Sequence, residues 1–117
     1  MAQANAQIET VSVGDLAYIE EEPDVIIVDV RDLFERKNEG EIPGSIHASR
    51  GMLEFHADPE SPAYLDGFKL ENRIILYCGT GGRSALAAKT LMDMGYPDVA
   101  SLAGGFAAWK AANSDSS

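Results

Sequence analysis

The chain has 117 residues, 45% of them hydrophobic, which is one domain's length with enough apolar material for a core. Nineteen acidic residues against nine basic give a net charge of −10, a surface that repels nucleic acid and anionic membranes. The single cysteine excludes an internal disulfide, a CxxC redox pair and a multi-cysteine zinc site, and no run approaches the ~20 apolar residues of a transmembrane helix.

Residues 1–7 carry no positive charge and no apolar run. They read as a flexible lead rather than a signal peptide, which makes the cytoplasm the default location. Ile8–Val11 reads as a short strand. Ser12 caps a helix with Asp15 three residues on, Leu16, Ala17 and Ile19 facing inward, Glu20–Glu22 as a solvated acidic end, and Pro23 as its stop. Val25–Val30 is almost wholly β-branched and reads as a central strand buried on both faces.

Asp29 and Arg31 stand at the C-terminal end of that strand, where open α/β sheets place their ligand sites. Asp29 is able to accept hydrogen bonds from a neighbouring loop, and Arg31 to pair with Glu35. The alternative is that both are strand-end surface charges. Asp32 and Glu35 suit the first turn of a helix reaching Asn38, with Gly40 as its cap.

Glu41–Ser45 is a turn, Ser45–Ala48 a short strand and Arg50–His56 a short helix. Arg50 is a candidate contact for an anion, because a guanidinium fork matches sulfonate or carboxylate oxygens; an exposed side chain with a carboxylate neighbour is the other reading. His47 and His56 lack metal-ligand spacing and read as surface or hydrogen-bonded histidines, and no metal is expected. Asp58–Leu70 reads as a loop with a partial turn at Tyr64–Leu65.

The chain is organised around Ile74–Ser84: a β-branched run, then Cys78, then Gly79-Thr80-Gly81-Gly82-Arg83-Ser84, then a helical pattern running from Arg83 to Met94. A helix N-terminus presents unpaired N–H groups and a partial positive charge, and a glycine-rich turn can aim successive N–H groups at one centre. None of the six residues from Gly79 to Ser84 is proline, so all can donate. With Arg83 beside it, a thiol there is acidified to a reactive thiolate. A buried, inert cysteine is the alternative, and it has no need of this loop. Met92 and Met94 read as core filler. Gly95 ends the helix, Val99–Leu102 is the last strand, Gly104-Gly105 turn into a short helix with Phe106 and Trp109, and Ala111–Ser117 is a tail. The domain is bounded at 8–112, with 113–117 outside it.

Alternating strands and helices with buried β-branched runs give a parallel α/β sheet covered on both faces. The chain resembles the rhodanese family in its Cys-x-x-x-x-Arg loop, Asp29-Val30-Arg31, Gly40-Glu41-Ile42-Pro43-Gly44-Ser45, and Gly104-Gly105 with Trp109, over nearly everything from Ile8 to Lys110. The resemblance implies a three-layer fold with about five mainly parallel strands, and an Asp-x-Arg element that supports the active loop. It implies a sulfurtransferase without cofactor. A Cys78 persulfide would carry sulfur from a small anionic donor such as thiosulfate to cyanide, a thiol or an accepting protein. Two alternatives stand beside it. One is a Cys-dependent phosphatase or arsenate reductase, whose loops generally hold five residues between Cys and Arg where this chain has four. The other is a sulfur carrier that does not turn over.

Overall fold

The computed structural model describes residues 8–19 and 22–113. The expected flexible lead (1–7), the acids Glu20 and Glu21, and tail residues 114–117 lie outside the described residues.

Strands β1 (Glu9–Val11), β2 (Val25–Asp29), β3 (Ile46–His47), β4 (Arg73–Tyr77) and β5 (Val99–Leu102) form one sheet in the order β1-β5-β4-β2-β3, every neighbouring pair parallel. Helices α1 (Val13–Ile19), α2 (Leu33–Glu39), α3 (Leu53–Ala57), α4 (Gly82–Asp93) and α5 (Gly105–Asn113) connect or flank them, and a 3-10 turn at Arg50–Met52 leads into α3. Because β4 is covered on both faces, its residues have no polar side to alternate with. Ile74 and Leu76 pack with Val28, Val99 and the Ala87, Ala88 and Leu91 stripe of α4. Ile75 and Tyr77 face the other way, with Leu16 of α1, Ala100, Leu102 and Phe106 of α5. Ile74, Ile75 and Leu76 are fully buried, each contributing about 1.5–3 kcal/mol by burial.

Local signals set the boundaries. The Asp15 N–H donates to Ser12 Oγ (3.0 Å), capping α1. Asp32 and Glu35 form a reciprocal capping box on α2, at 2.9 and 3.2 Å.

Several expectations are corrected. In α1, Leu16 is buried but Ala17 is exposed. Met92 and Met94 point to solvent, because small alanines fill the inner face of α4 and bring the helix close to the sheet. The last helix runs through Ala111 to Asn113 instead of yielding to a tail, capped by the Asn113 side chain on the Trp109 carbonyl (2.8 Å). Among the described residues no helix is long and apolar enough to cross a membrane.

Candidate active site

Cys78 follows the last residue of β4, in the middle of the sheet and at its carboxyl edge, where parallel sheets open a crevice. The chain must then turn from strand into α4. Gly81 makes the turn at φ +112°, a conformation that strains any side chain, and so aims its N–H at the sulfur. The Gly81 and Ser84 N–H groups stand 3.0 and 3.4 Å from Cys78 Sγ, and the Ser84 hydroxyl 3.7 Å. Gly82, Arg83 and Ser84 open α4, so their N–H groups belong to the helix's unpaired first turn and bring its positive dipole end to the same point.

Cys78 is fully buried. Burial raises its pKa, but the N–H and hydroxyl of Ser84, with the N–H groups of Gly81 and Thr80, more than offset this, and the thiol titrates below its ordinary value.

The outside of the loop is held by α5. The Phe106 N–H donates to the Cys78 carbonyl (2.7 Å) and the Ala107 N–H to the Gly79 carbonyl (3.0 Å). With these carbonyls fixed outward, the following N–H groups are free to turn inward. Gly105 permits this approach: at φ +60°, a Cβ would overlap the Cys78 carbonyl oxygen and lie 2.9 Å from Gly79 C and O. The sequence signal for this role is Gly104-Gly105, whose glycine pair reads from the sequence as a turn.

Arg83 is clamped to Glu35, its two guanidinium nitrogens 2.7 Å from the two carboxylate oxygens. Arg83 therefore holds the Glu35 pKa down to about 2, against a smaller opposing effect of burial. Glu35 thus pairs with Arg83 and not, as expected, with Arg31. Arg31 instead forms a fully buried pair with Asp29, Nε to Oδ1 at 3.0 Å and Nη2 to Oδ2 at 2.9 Å. Its other guanidinium nitrogen, Nη1, is 3.6 Å from Glu39. Asp29 also accepts from Arg36 (3.1 Å). Its partners are these arginines rather than loop amides or hydroxyls. Burial pushes the Asp29 carboxyl up, but the Arg31 bonds bring it below its ordinary value.

Arg31 meets α5 beside the loop. The Arg31 guanidinium lies 4.4 Å from the ring centre of Phe106, whose N–H holds the Cys78 carbonyl. Arg36, which sequence reasoning missed, ties α2 to Asp29, Glu41 and Ser45.

Arg50 bonds Glu54 (3.1 Å) and Thr90 (3.1 Å), over the third turn of α4. His47 contacts the Arg31 carbonyl (2.7 Å) and His56 the Ala63 carbonyl (2.9 Å), both as hydrogen-bonded histidines. Among the described residues no group of three or more His, Cys, Asp or Glu could hold a metal.

The sequence matches the Rhodanese-like domain over residues 12–112. The chain belongs to the rhodanese family. It is 33% identical over 106 residues to the thiosulfate sulfurtransferase GlpE of Pseudoalteromonas translucida, covering 90% of this chain and 91% of that one. GlpE of Shewanella oneidensis is 35% identical over 103 residues, covering 87% and 92%. Among solved structures, a Rhodopseudomonas palustris protein described as of unknown function and a possible tyrosine phosphatase superposes with TM-score 0.88 at 46% identity, covering 95% of this chain and 86% of that one. The human single-domain sulfurtransferase TSTD1 superposes at 0.72 with 27% identity, covering 86% and 93%. The five-stranded parallel sheet with helices on both faces is the fold of this rhodanese.

Proposed function

We propose that this rhodanese is a sulfurtransferase that moves a sulfane sulfur from a donor such as thiosulfate to cyanide or a thiol through a persulfide on Cys78. The observation that carries the reading is the convergence of the Gly81 and Ser84 donors on one buried sulfur. In the first step the Cys78 thiolate attacks the outer sulfur of thiosulfate. A new S–S bond forms, the old one breaks with its electron pair, and sulfite leaves. The persulfide's terminal sulfur carries the negative charge, and the first-turn N–H groups of α4 would stabilise it. In the second step the acceptor attacks that terminal sulfur, and the S–S electrons return to Cys78 as thiolate. The steps balance without an external oxidant or reductant, and ping-pong kinetics follow.

The residues proposed to do this are Cys78 as nucleophile and Gly79, Thr80, Gly81, Gly82, Arg83 and Ser84 as the binding loop. Asp29, Arg31 and Glu35 are its supports. Arg50 remains a proposed donor contact, and would have to exchange Thr90 or Glu54 for the donor. The names of the GlpE relatives support a sulfurtransferase.

A second reading, phosphate-ester hydrolysis, is favoured by the description of the R. palustris neighbour. Loop length weighs against it: four residues between Cys78 and Arg83 make a tighter ring than a tetrahedral phosphate needs. So does the commitment of nearby carboxylates, Asp29 to Arg31 and Arg36 and Glu35 to Arg83, since ester cleavage needs a carboxylic acid for the leaving alcohol.

The test compares thiocyanate formation from thiosulfate and cyanide with p-nitrophenyl phosphate hydrolysis in one preparation, using Cys78→Ser as control. Transfer should dominate, and Cys78→Ser should retain less than about one per cent of it, as loss of a covalent nucleophile requires. Efficient phosphatase turnover without transfer would refute the reading. One added sulfur by intact mass, without thiocyanate turnover, would make the protein a carrier.

A further inference from the structure

The hydroxyl of Ser84 carries one proton and meets three groups: Cys78 Sγ at 3.7 Å, which as a thiol donates to it, the Gly81 carbonyl at 3.1 Å, to which it donates, and Ser101 Oγ at 2.7 Å. A carbonyl can only accept. A thiolate can only accept. The 2.7 Å contact with Ser101 therefore decides what Ser84 can do. If Ser84 gave its proton to Ser101, an oxygen lone pair would face the sulfur. If Ser101 donates, the Ser84 proton is released to point at the Gly81 carbonyl or the sulfur.

Strand geometry puts Ser101 in this place. It pairs with Leu76 on β4, and Leu76 and Cys78 belong to the same face of the sheet. Ser101 thus stands under the first turn of α4, where Ser84 is fully buried. A polar side chain in the otherwise apolar run Val99–Leu102 has to find a partner when buried, and Ser84 is that partner.

We propose that Ser101 is a positioning residue: it donates to Ser84 Oγ and so keeps the Ser84 hydroxyl available as a donor to Cys78. Hydrogen bonds in such a chain polarise one another, so the second hydroxyl strengthens the first. The inference rests on the reading of Cys78 as a reacting thiolate.

The test is the pH dependence of iodoacetamide alkylation, which reports on Cys78 alone because the chain has one cysteine. It uses no sulfur donor, so its failure is separable from failure of the sulfur-transfer reading. Ser101→Ala should move the midpoint upward by about half a unit to one unit, the size of one net hydrogen bond. Ser84→Ala should move it upward at least as far. In the Ser84→Ala background, Ser101→Ala should add less than about 0.3 unit, because its route to the sulfur is gone.

Arg83 with Glu35, the Asp29–Arg31 pair at the end of β2, and Glu39 and Lys110 around the hollow beside Gly79 are the charged groups of the surrounding elements. They are the same in all four proteins and cancel in the cycle. Ser101→Thr, which keeps the hydroxyl, should restore the wild-type midpoint. Ser101→Val, of the same shape without it, should not, and this pair decides the matter if the alanine variant unfolds. An unchanged midpoint in Ser101→Ala, an equal shift in both backgrounds, or identical Thr and Val variants would overturn the proposal.

Discussion

Gly105→Ala tests whether α5 holds the Cys78 loop in shape. The added methyl would overlap the Cys78 carbonyl oxygen and lie 2.9 Å from the carbonyl carbon and oxygen of Gly79. These are backbone atoms, pinned by the Phe106 and Ala107 N–H groups, and they cannot swing aside as a side chain would. Two costs follow. An alanine at φ +60° pays about 1–2 kcal/mol for its left-handed conformation. Overpacking adds about 1–3 kcal/mol. The sum, about 2–5 kcal/mol, is a large part of the roughly 5–15 kcal/mol that keeps a domain folded. Gly95→Ala is the control, since Gly95 has φ +103° but nothing within 4 Å of an added Cβ. It should lose only the conformational part. Urea unfolding of the three proteins measures the difference, and the alkylation midpoint of Cys78 reports the loop. Gly105→Ala should lose about 1–3 kcal/mol more than the control and alone raise the midpoint, because displaced carbonyls turn the loop N–H groups off the sulfur. Equal losses with unchanged alkylation would refute the reasoning.

The Glu35 carboxyl has a folded pKa of about 2 against an ordinary 4.5, so its stabilising effect is present above pH 4.5 and is lost as pH falls through about 2. Glu35→Gln should cost about 0.5–1 kcal/mol at neutral pH, the worth of a screened, partly exposed pair, and the two proteins should converge in urea unfolding near pH 2; a constant gap would contradict the assignment. Asp29→Asn leaves the buried Arg31 without its carboxylate and should destabilise by about 3–5 kcal/mol, read by denaturation, with a loss under about 1 kcal/mol assigning the pair to surface electrostatics. Arg50→Ala should raise KM for thiosulfate more than it lowers kcat if Arg50 meets the donor; an unchanged KM would leave it with its observed partners, Glu54 and Thr90.

The strands and the Cys78 loop were legible because their causes are local. A β-branched run, a cysteine, glycines and a helix pattern follow one another within Ile74–Ser84, and no tertiary information is needed to order them. The pairing of charges was not legible. Arg31 has Asp29 two residues away and Glu35 four away, and both are carboxylates. What decides is burial: at the end of a central strand Arg31 is wholly enclosed, and only Asp29 is enclosed with it. Glu35 is then left for Arg83, 48 residues further on, a contact the fold makes. The solvent-facing positions of Met92 and Met94 escape sequence reasoning for a related reason. An apolar side chain marks the inner face only if that face needs volume, and α4 fills it with alanine.

The pairing of Arg83 with Glu35 also bears on how a dianionic donor would reach this protein on the proposed reading. The chain carries −10 overall, and Arg83 of the loop already has a carboxylate on both of its outer nitrogens. The global field therefore does not draw such a donor in, and Arg83 is not a bare charge. At physiological ionic strength the global repulsion fades beyond about 8 Å. What acts at contact are the N–H groups of the loop and the first turn of α4, which are uncharged and cost no salt-bridge partner to use. Such donors favour negative charge on the one or two atoms they touch, and do little for charge spread farther out. On sulfur transfer from thiosulfate this is the useful bias: in the step to the persulfide, negative charge becomes localised on the terminal sulfur beneath the loop, while the sulfonate charge departs as sulfite. The site, on the proposed reading, holds the intermediate better than it holds the donor.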